Sequence, residues 1–177
     1  SMDAAMNGAQ FNTTVGGNSL SALTTGDSNT ALGYNSGNNL STGERNTFIG
    51  NSAGYTTVDV DRTVLIGYNA GSNANMTSAA DGSIAIGYNA LLSLTSGIGN
   101  VAIGSGSMAA NATSDFNTAV GTNALSKLTN DGATGNVAVG YQTLTSVVTG
   151  VRNLAIGQWA LDAADGAESD NIAIGYA

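Results

Sequence analysis

The sequence predicts an all-β chain, a parallel β-roll or β-solenoid of about ten coils of roughly 17 residues. Three observations carry this. A five-residue phrase, seen as Asn-Thr-Ala-Val-Gly at 117–121, recurs ten times, with starts at residues 12, 29, 46, 63, 83, 100, 117, 136, 153 and 171. The starts are 17, 17, 17, 20, 17, 17, 19, 17 and 18 residues apart, and a period of that size marks a stacked repeat architecture. Within each copy large and small residues alternate with period two, the signature of a strand, and the branched residues suit a pleated surface.

Taken in order, residues 1–10 carry no repeat signal and form an irregular entry, of which Ser1-Met2 reads as an expression scar. Residues 11–177 form one repeat domain. Its phrase opens on Asn at Asn29, Asn46, Asn100, Asn117, Asn136 and Asn153, a column suited to a ladder of side-chain amides between stacked coils. The second residue is Thr, Val, Ile or Leu, the third usually Ala, and the fourth Val, Ile or Leu. We expect the large residues, as in Ile84-Ala85-Ile86, to fill the coil interior. Ala would then face a closely approaching partner surface, with Phe48 and Leu65 as larger exceptions on that side.

Each phrase closes on Gly, among them Gly33, Gly50, Gly67, Gly87, Gly104, Gly121, Gly140 and Gly157. One residue type at one register implies a backbone of positive φ or a contact too close for a Cβ. A second block follows, as in Tyr88-Asn89-Ala90-Leu91 and Thr122-Asn123-Ala124-Leu125, often with another apolar residue three positions later (Leu94, Leu128, Ala164). It reads either as a second short strand or as a tight turn with an apolar anchor. A polar turn such as Ser41-Thr42-Gly43 or Thr95-Ser96-Gly97 closes the coil. The irregular spacings fall in these closing turns, at 72–82, 130–135 and 162–170, where a solenoid accepts insertions.

Composition narrows the function. The net charge of −8 disfavours nucleic acid and anionic membrane as partners. The absence of Cys removes disulfides and thiolate metal sites, and the absence of His removes the commonest general base and transition-metal ligand. No apolar run approaches the roughly 20 residues that span a bilayer, so direct membrane insertion of this segment is not expected. No cofactor is expected. A 17-residue coil encloses a thin interior, so one roll is a weak core and self-association is expected. Stacked at about 4.8 Å per coil, ten coils give a rod roughly 45 to 50 Å long. The last copy stops two residues beyond its Gly, which suggests a fragment of a longer fibre.

The phrase resembles the head repeats of trimeric autotransporter adhesins, most closely at Gly99-Asn100-Val101-Ala102-Ile103-Gly104 and Ser83-Ile84-Ala85-Ile86-Gly87. It is also similar to longer repeats of bacteriophage and algal-virus tail fibres at residues 29–36, 83–91 and 117–125. The resemblance implies a left-handed parallel roll, assembled as a parallel homotrimer. It further implies a non-enzymatic structural and receptor-binding segment of a bacterial surface adhesin or virion fibre, extracellular, whose partner is a cell-surface glycan or protein.

Tyr34, Tyr68, Tyr88, Tyr141 and Tyr176 directly follow the motif Gly, and Trp159 lies one position further on. Such a column is a candidate glycan or receptor contact, since an aromatic ring offers an apolar face with a polar rim. The competing reading packs the rings into the wall of the roll or an oligomer interface. Asp59 with Asp61, and Asp162 with Asp165, are formally carboxylate pairs of the kind glycoside hydrolysis uses. A polysaccharide-degrading fibre domain is therefore an alternative, although Asp is ordinary in turns. Asp131-Gly132 and Asp165-Gly166 are weak Ca²⁺ signals. The column Thr13, Thr30, Thr47, Val64, Ile84, Val101, Thr118, Val137, Leu154, Ile172 raises an ice-binding solenoid as a third class. Its change to large aliphatics is what an interior column would show. Arg45, Arg62 and Arg152 directly precede a phrase, with Glu44, Asp61, Asp27, Asp115 and Asp170 nearby, and are expected to form a mixed-charge ladder.

Overall fold

The computed structural model describes residues 7–129, 132–163 and 166–176. Ser1, Met2, Asp131, Ala164 and Asp165 lie outside the described residues. Ten three-residue strands follow in order: β1 (Thr13–Val15), β2 (Thr30–Leu32), β3 (Thr47–Ile49), β4 (Val64–Ile66), β5 (Ile84–Ile86), β6 (Val101–Ile103), β7 (Thr118–Val120), β8 (Val137–Val139), β9 (Leu154–Ile156) and β10 (Ile172–Ile174). They form one parallel sheet in sequence order, each strand paired only with its neighbours in the chain. Ten strands are thus joined by about nine turns of a β-solenoid. Each strand occupies the middle three residues of one phrase, and equivalent residues are partners, as Thr118 with Val137 and Ala119 with Ala138. Residues 7–10 already bond to the next coil, through Asn7 N–H to Thr24 O at 2.8 Å and Ser28 N–H to Gln10 O at 3.0 Å.

The alternation is as expected, but its direction is reversed. The middle residue of each inner strand points into the coil: Ala31, Phe48, Leu65, Ala85, Ala102, Ala119, Ala138 and Ala155 are all buried. The first and third residues, including Thr118 and Val120, are exposed or half-buried. Phe48 and Leu65 are therefore core residues rather than exceptions on an outer face. The cause is the second block, which is a turn and not a strand. Four residues past the motif Gly the chain adopts a left-handed conformation that sends a long side chain inward. Leu20, Met108, Leu125 and Leu144 do this at φ 48, 49, 50 and 52° and are fully buried. Three residues later Leu23, Leu40, Leu94, Leu128 and Val147 add a second buried column. Little room remains under the strand, and Ala fits it.

The exceptions follow the same volume rule. Where the strand carries Phe48 or Leu65, the inward turn residue of that coil is Gly. A Cβ at Gly54 would lie 2.8 Å from the Phe48 ring, one at Gly37 in the preceding coil 2.6 Å from it, and one at Gly71 2.8 Å from Leu65. A large strand residue and a large turn residue thus exclude each other. The alternation keeps the volume filled per coil within what a thin, close-packed core can hold.

The motif Gly satisfies both reasons given for it. From Gly16 to Gly175 its φ lies between 126 and 141°, a region that is costly for a side chain. A Cβ at Gly87 would also stand 2.6 Å from the carbonyl oxygen of Gly104 in the next coil.

The motif Asn column forms the amide ladder inside the coil. Asn136 donates from its backbone N–H and its Nδ2 to Asn117 Oδ1, at 2.9 and 3.0 Å. Asn117 Nδ2 donates to the carbonyl of Ala133 at 2.9 Å, which ties the strand entry to the closing turn. The same geometry recurs at Asn29, Asn46 and Asn153. Thr63 and Ser83 occupy the column where the coil is longest, and Ser83 Oγ partly replaces the amide by donating to Gly97 O at 3.2 Å. The extra residues of that coil include a short 3-10 turn, Ser78–Ala80, which buries Ala80.

Candidate functional site

Two neighbouring surface features collect the candidate residues: the outward face of the sheet and the column that follows the motif Gly. The outward face consists of the first and third residue of every strand. Of these twenty side chains four are Thr and sixteen are Val, Ile or Leu, and none is charged. Leu32 is 47% exposed and Ile103 37%, although both lie within the stack. The Thr13 to Ile172 column therefore faces outward and not inward, so its aliphatic members require another explanation than a core.

Tyr34, Tyr68, Tyr88, Tyr141 and Tyr176 are exposed, and none of them fills the wall of the coil. Stacking of coils brings them together in two groups. Tyr68 and Tyr88 lie nearly parallel, with centroids 5.7 Å apart and planes 12° apart, so one face of each ring is turned to the other. Tyr141, Trp159 and Tyr176 form the second group, with centroid separations of 6.2 and 5.5 Å at inclined planes. Trp159 Nε1 donates to Gln142 Oε1 at 2.7 Å, which fixes the indole orientation. Tyr34 stands apart, against Gly17 of the preceding coil.

Sequence reasoning missed Gln142 as the partner of Trp159, and missed Phe11 and Phe116. These two occupy the left-handed position just before the phrase, at φ 58 and 54°, and are exposed. The available signal was an aromatic at a register position that elsewhere holds Arg, Ser, Gly or Asp. Beyond β9, Ala160, Leu161, Ala173, Ile174, Gly175 and Tyr176 line an open depression of about 260 Å³.

The acidic residues have structural partners. Asp61 Oδ1 accepts the backbone N–H of Glu44, Asp81 Oδ1 that of Asp61, and Asp115 Oδ1 that of Ile98, each at 2.8 Å. Asp59 Oδ1 accepts Ser78 N–H at 2.9 Å. The Asp59 and Asp61 carboxylates thus each hold a different coil, which is a turn role. Asp162 donates its backbone N–H to Trp159 O at 3.0 Å, while its suggested companion Asp165 lies outside the described residues. Among the described residues no group of three or more His, Cys, Asp or Glu is placed to hold a metal ion.

The charge ladder is partly local. Arg45 pairs with Glu44 of its own coil at 2.5 Å. Arg62 pairs with Asp81 at 3.5 Å and Arg152 with Asp170 at 2.5 Å, both across coils. Burial raises the Asp81 pKa, with the like charges of Asp61 and Asp59 adding to it against the Asp61 backbone hydrogen bond and Arg62. The hydrogen bond from Arg152 lowers that of Asp170.

No protein-family model, no curated protein and no solved structure matched the chain. No described helix is long and apolar enough to cross a membrane.

Proposed function

We propose that the chain is a non-enzymatic, structural and receptor-presenting segment of an extracellular fibre, of the surface-adhesin or viral tail-fibre kind. The observation that carries this reading is the strand order. Ten strands in one parallel sheet, each paired only with its sequence neighbours, make length proportional to repeat number. Such a chain grows along one axis, which suits a spacer that holds a binding surface away from its base. The repeat phrase adds a left-handed coil and a homotrimer to the proposal, and three copies around one axis would make attachment multivalent. The receptor is a cell-surface glycan or protein, with Tyr34, Tyr68, Tyr88, Tyr141 and Trp159 as candidate contacts. Sedimentation equilibrium tests the assembly: a mass of three chains is expected, and a stable single chain would refute it. A glycan array tests attachment, and silence across cell-wall and host glycans would leave a spacer alone.

A second reading has one observation in its favour. Thr13, Thr30 and Thr47 project from consecutive strands on an outward face, as an ice-binding surface would require. Thermal hysteresis in solution would establish it, and none is expected from a column that turns to Val, Ile and Leu.

A further inference from the structure

The charges of the chain are sorted by position in the coil. Among the described residues all of them except Lys127 and Asp162 lie in the closing turns or in the step just before a phrase. The two residues after each motif Gly are a contrast. In the nine coils from Gly17 to Trp159 these pairs supply eight carboxamides, five aromatics, three hydroxyl residues and two Gly, and no charge. None of them is buried, and the first of each pair is exposed. We infer that this strip binds an uncharged, linear polysaccharide laid along the stack of coils. The inference rests on the receptor-presenting reading above and names the chemistry of the receptor.

Three features select that ligand. First, the strip joins the two kinds of group that a sugar ring requires. A carboxamide both donates and accepts, as a sugar hydroxyl does, so the two can exchange hydrogen bonds in either direction. An aromatic ring covers the apolar C–H side of the sugar. Gln142 and Trp159 combine both in one place. Trp159 Nε1 donates to Gln142 Oε1 at 2.7 Å, which holds the amide beside the indole and leaves Gln142 Nε2 as a donor for a ligand. Second, the absence of charge excludes ligands that need a counter-charge. A phosphate, a sulfate or a basic peptide finds no ionic partner in the strip, and the net charge of −8 repels polyanionic glycans. A protein with an apolar contact surface is better matched by the outward sheet face, whose only hydrogen-bonding side chains are Thr. Third, the strip repeats at the coil spacing of about 4.8 Å along one axis. The columns are in line: Asn18 Nδ2 donates to Asn35 Oδ1 at 3.2 Å across one coil step, and Tyr68 stacks on Tyr88. A linear polysaccharide also repeats along its axis, so successive sugars meet successive pairs and many weak contacts act together. A single sugar gains only one or two of them.

Affinity electrophoresis tests this, in native gels that each contain one polysaccharide and are compared with a gel that contains none. Dextran, laminarin and hydroxyethyl cellulose are the neutral probes, and alginate and hyaluronan the acidic ones. Retardation is expected in at least one neutral gel and in neither acidic gel, and the free monosaccharide of the retarding polymer should not release the protein. Two variants place the contact. Tyr141→Ala combined with Trp159→Ala removes two rings and should weaken binding about tenfold, with an unchanged far-UV circular dichroism spectrum. Gln142→Glu keeps an acceptor for Trp159 Nε1 but replaces the free donor by a charged acceptor, so binding should fall several-fold without a change of fold. Full retardation of both variants, or no retardation by any neutral polymer, would overturn the inference. Binding to the acidic polymers alone would overturn it while leaving the receptor-presenting reading intact. Silence in every gel and on the glycan array would remove the glycan-receptor reading as well.

Discussion

Among the described residues Phe48 is the one aromatic side chain that the solenoid core fully encloses, and replacing it measures how that core is filled. Its ring covers two turn glycines, Gly37 and Gly54, and reaches to within 2.6 and 2.8 Å of where their Cβ atoms would be. Phe48→Ala empties the space that other coils fill from the turn. A buried Phe→Ala change costs about 3–5 kcal/mol, and a core this thin has few neighbours able to relax inward, so the upper part of the range is expected. Gly54→Leu alone should also destabilise, because the new side chain meets the ring. The two together should recover part of the loss. Gly54 already has φ 61°, near the 47 and 50° at which Leu91 and Leu125 point inward beneath Ala85 and Ala119. Burying Leu returns about 1.5–3 kcal/mol, against a left-handed backbone cost of about 1–2 kcal/mol. Urea denaturation of the four proteins closes a double-mutant cycle. A double variant more stable than Phe48→Ala is predicted, with a coupling of about 2 kcal/mol or more. A double variant less stable than either single one would refute the volume rule.

Further tests address the ladder, the bend and the charges. Asn117→Ala leaves the Asn136 amide groups and the Ala133 carbonyl without their partner. At about 1–3 kcal/mol per buried unpaired group, a loss of 3 kcal/mol or more is expected in denaturant titration. Asn117→Ser should lose less, since Ser83 serves in the same column. Gly87→Ala imposes both a strained backbone, about 1–3 kcal/mol, and a collision with the Gly104 carbonyl. Hydrogen exchange should show protection lost first at β5 and β6, and unchanged protection there would count against the close approach. The raised pKa of Asp81 means that the folded chain takes up this proton at a higher pH than the unfolded chain. Its contribution therefore rises as pH falls through the folded value and is complete below 3.8. Asp170, whose folded pKa is lowered, acts oppositely below 3.8. Asp81→Asn should flatten the thermal-stability profile on the acid side of neutrality, and an unaltered profile would sink this assignment.

The period made most of the architecture legible. Ten strands, their parallel stacking, the Asn ladder and the motif Gly follow from residues that recur at one register and must meet between coils. What period two does not fix is which set of residues faces inward, because Ile84-Ala85-Ile86 alternates equally well either way. The deciding residue is Leu91, which lies outside the strand. Its side chain enters the core only because it adopts φ 47°, a conformation uncommon for Leu and invisible in its identity. Phe48 carried the information in part: beside Gly54 in its own coil and Gly37 in the preceding one, it is sensible only as an inward residue that needs space. The candidate contacts were legible as a column, since Tyr68 and Tyr88 share a register. Their mutual stacking and the tie between Trp159 and Gln142 depend on coil spacing and rotamers, which the sequence does not state.

The direction of the strand side chains decides what fills the core, and two neighbouring substitutions test it in one experiment. Ala102→Glu should place an unpaired charge in the coil and abolish the cooperative melt followed by far-UV circular dichroism. Ile103→Glu should keep the β spectrum and a cooperative melt, because its side chain points away from the coil. The reverse outcome, a folded Ala102→Glu and an unfolded Ile103→Glu, would contradict the account.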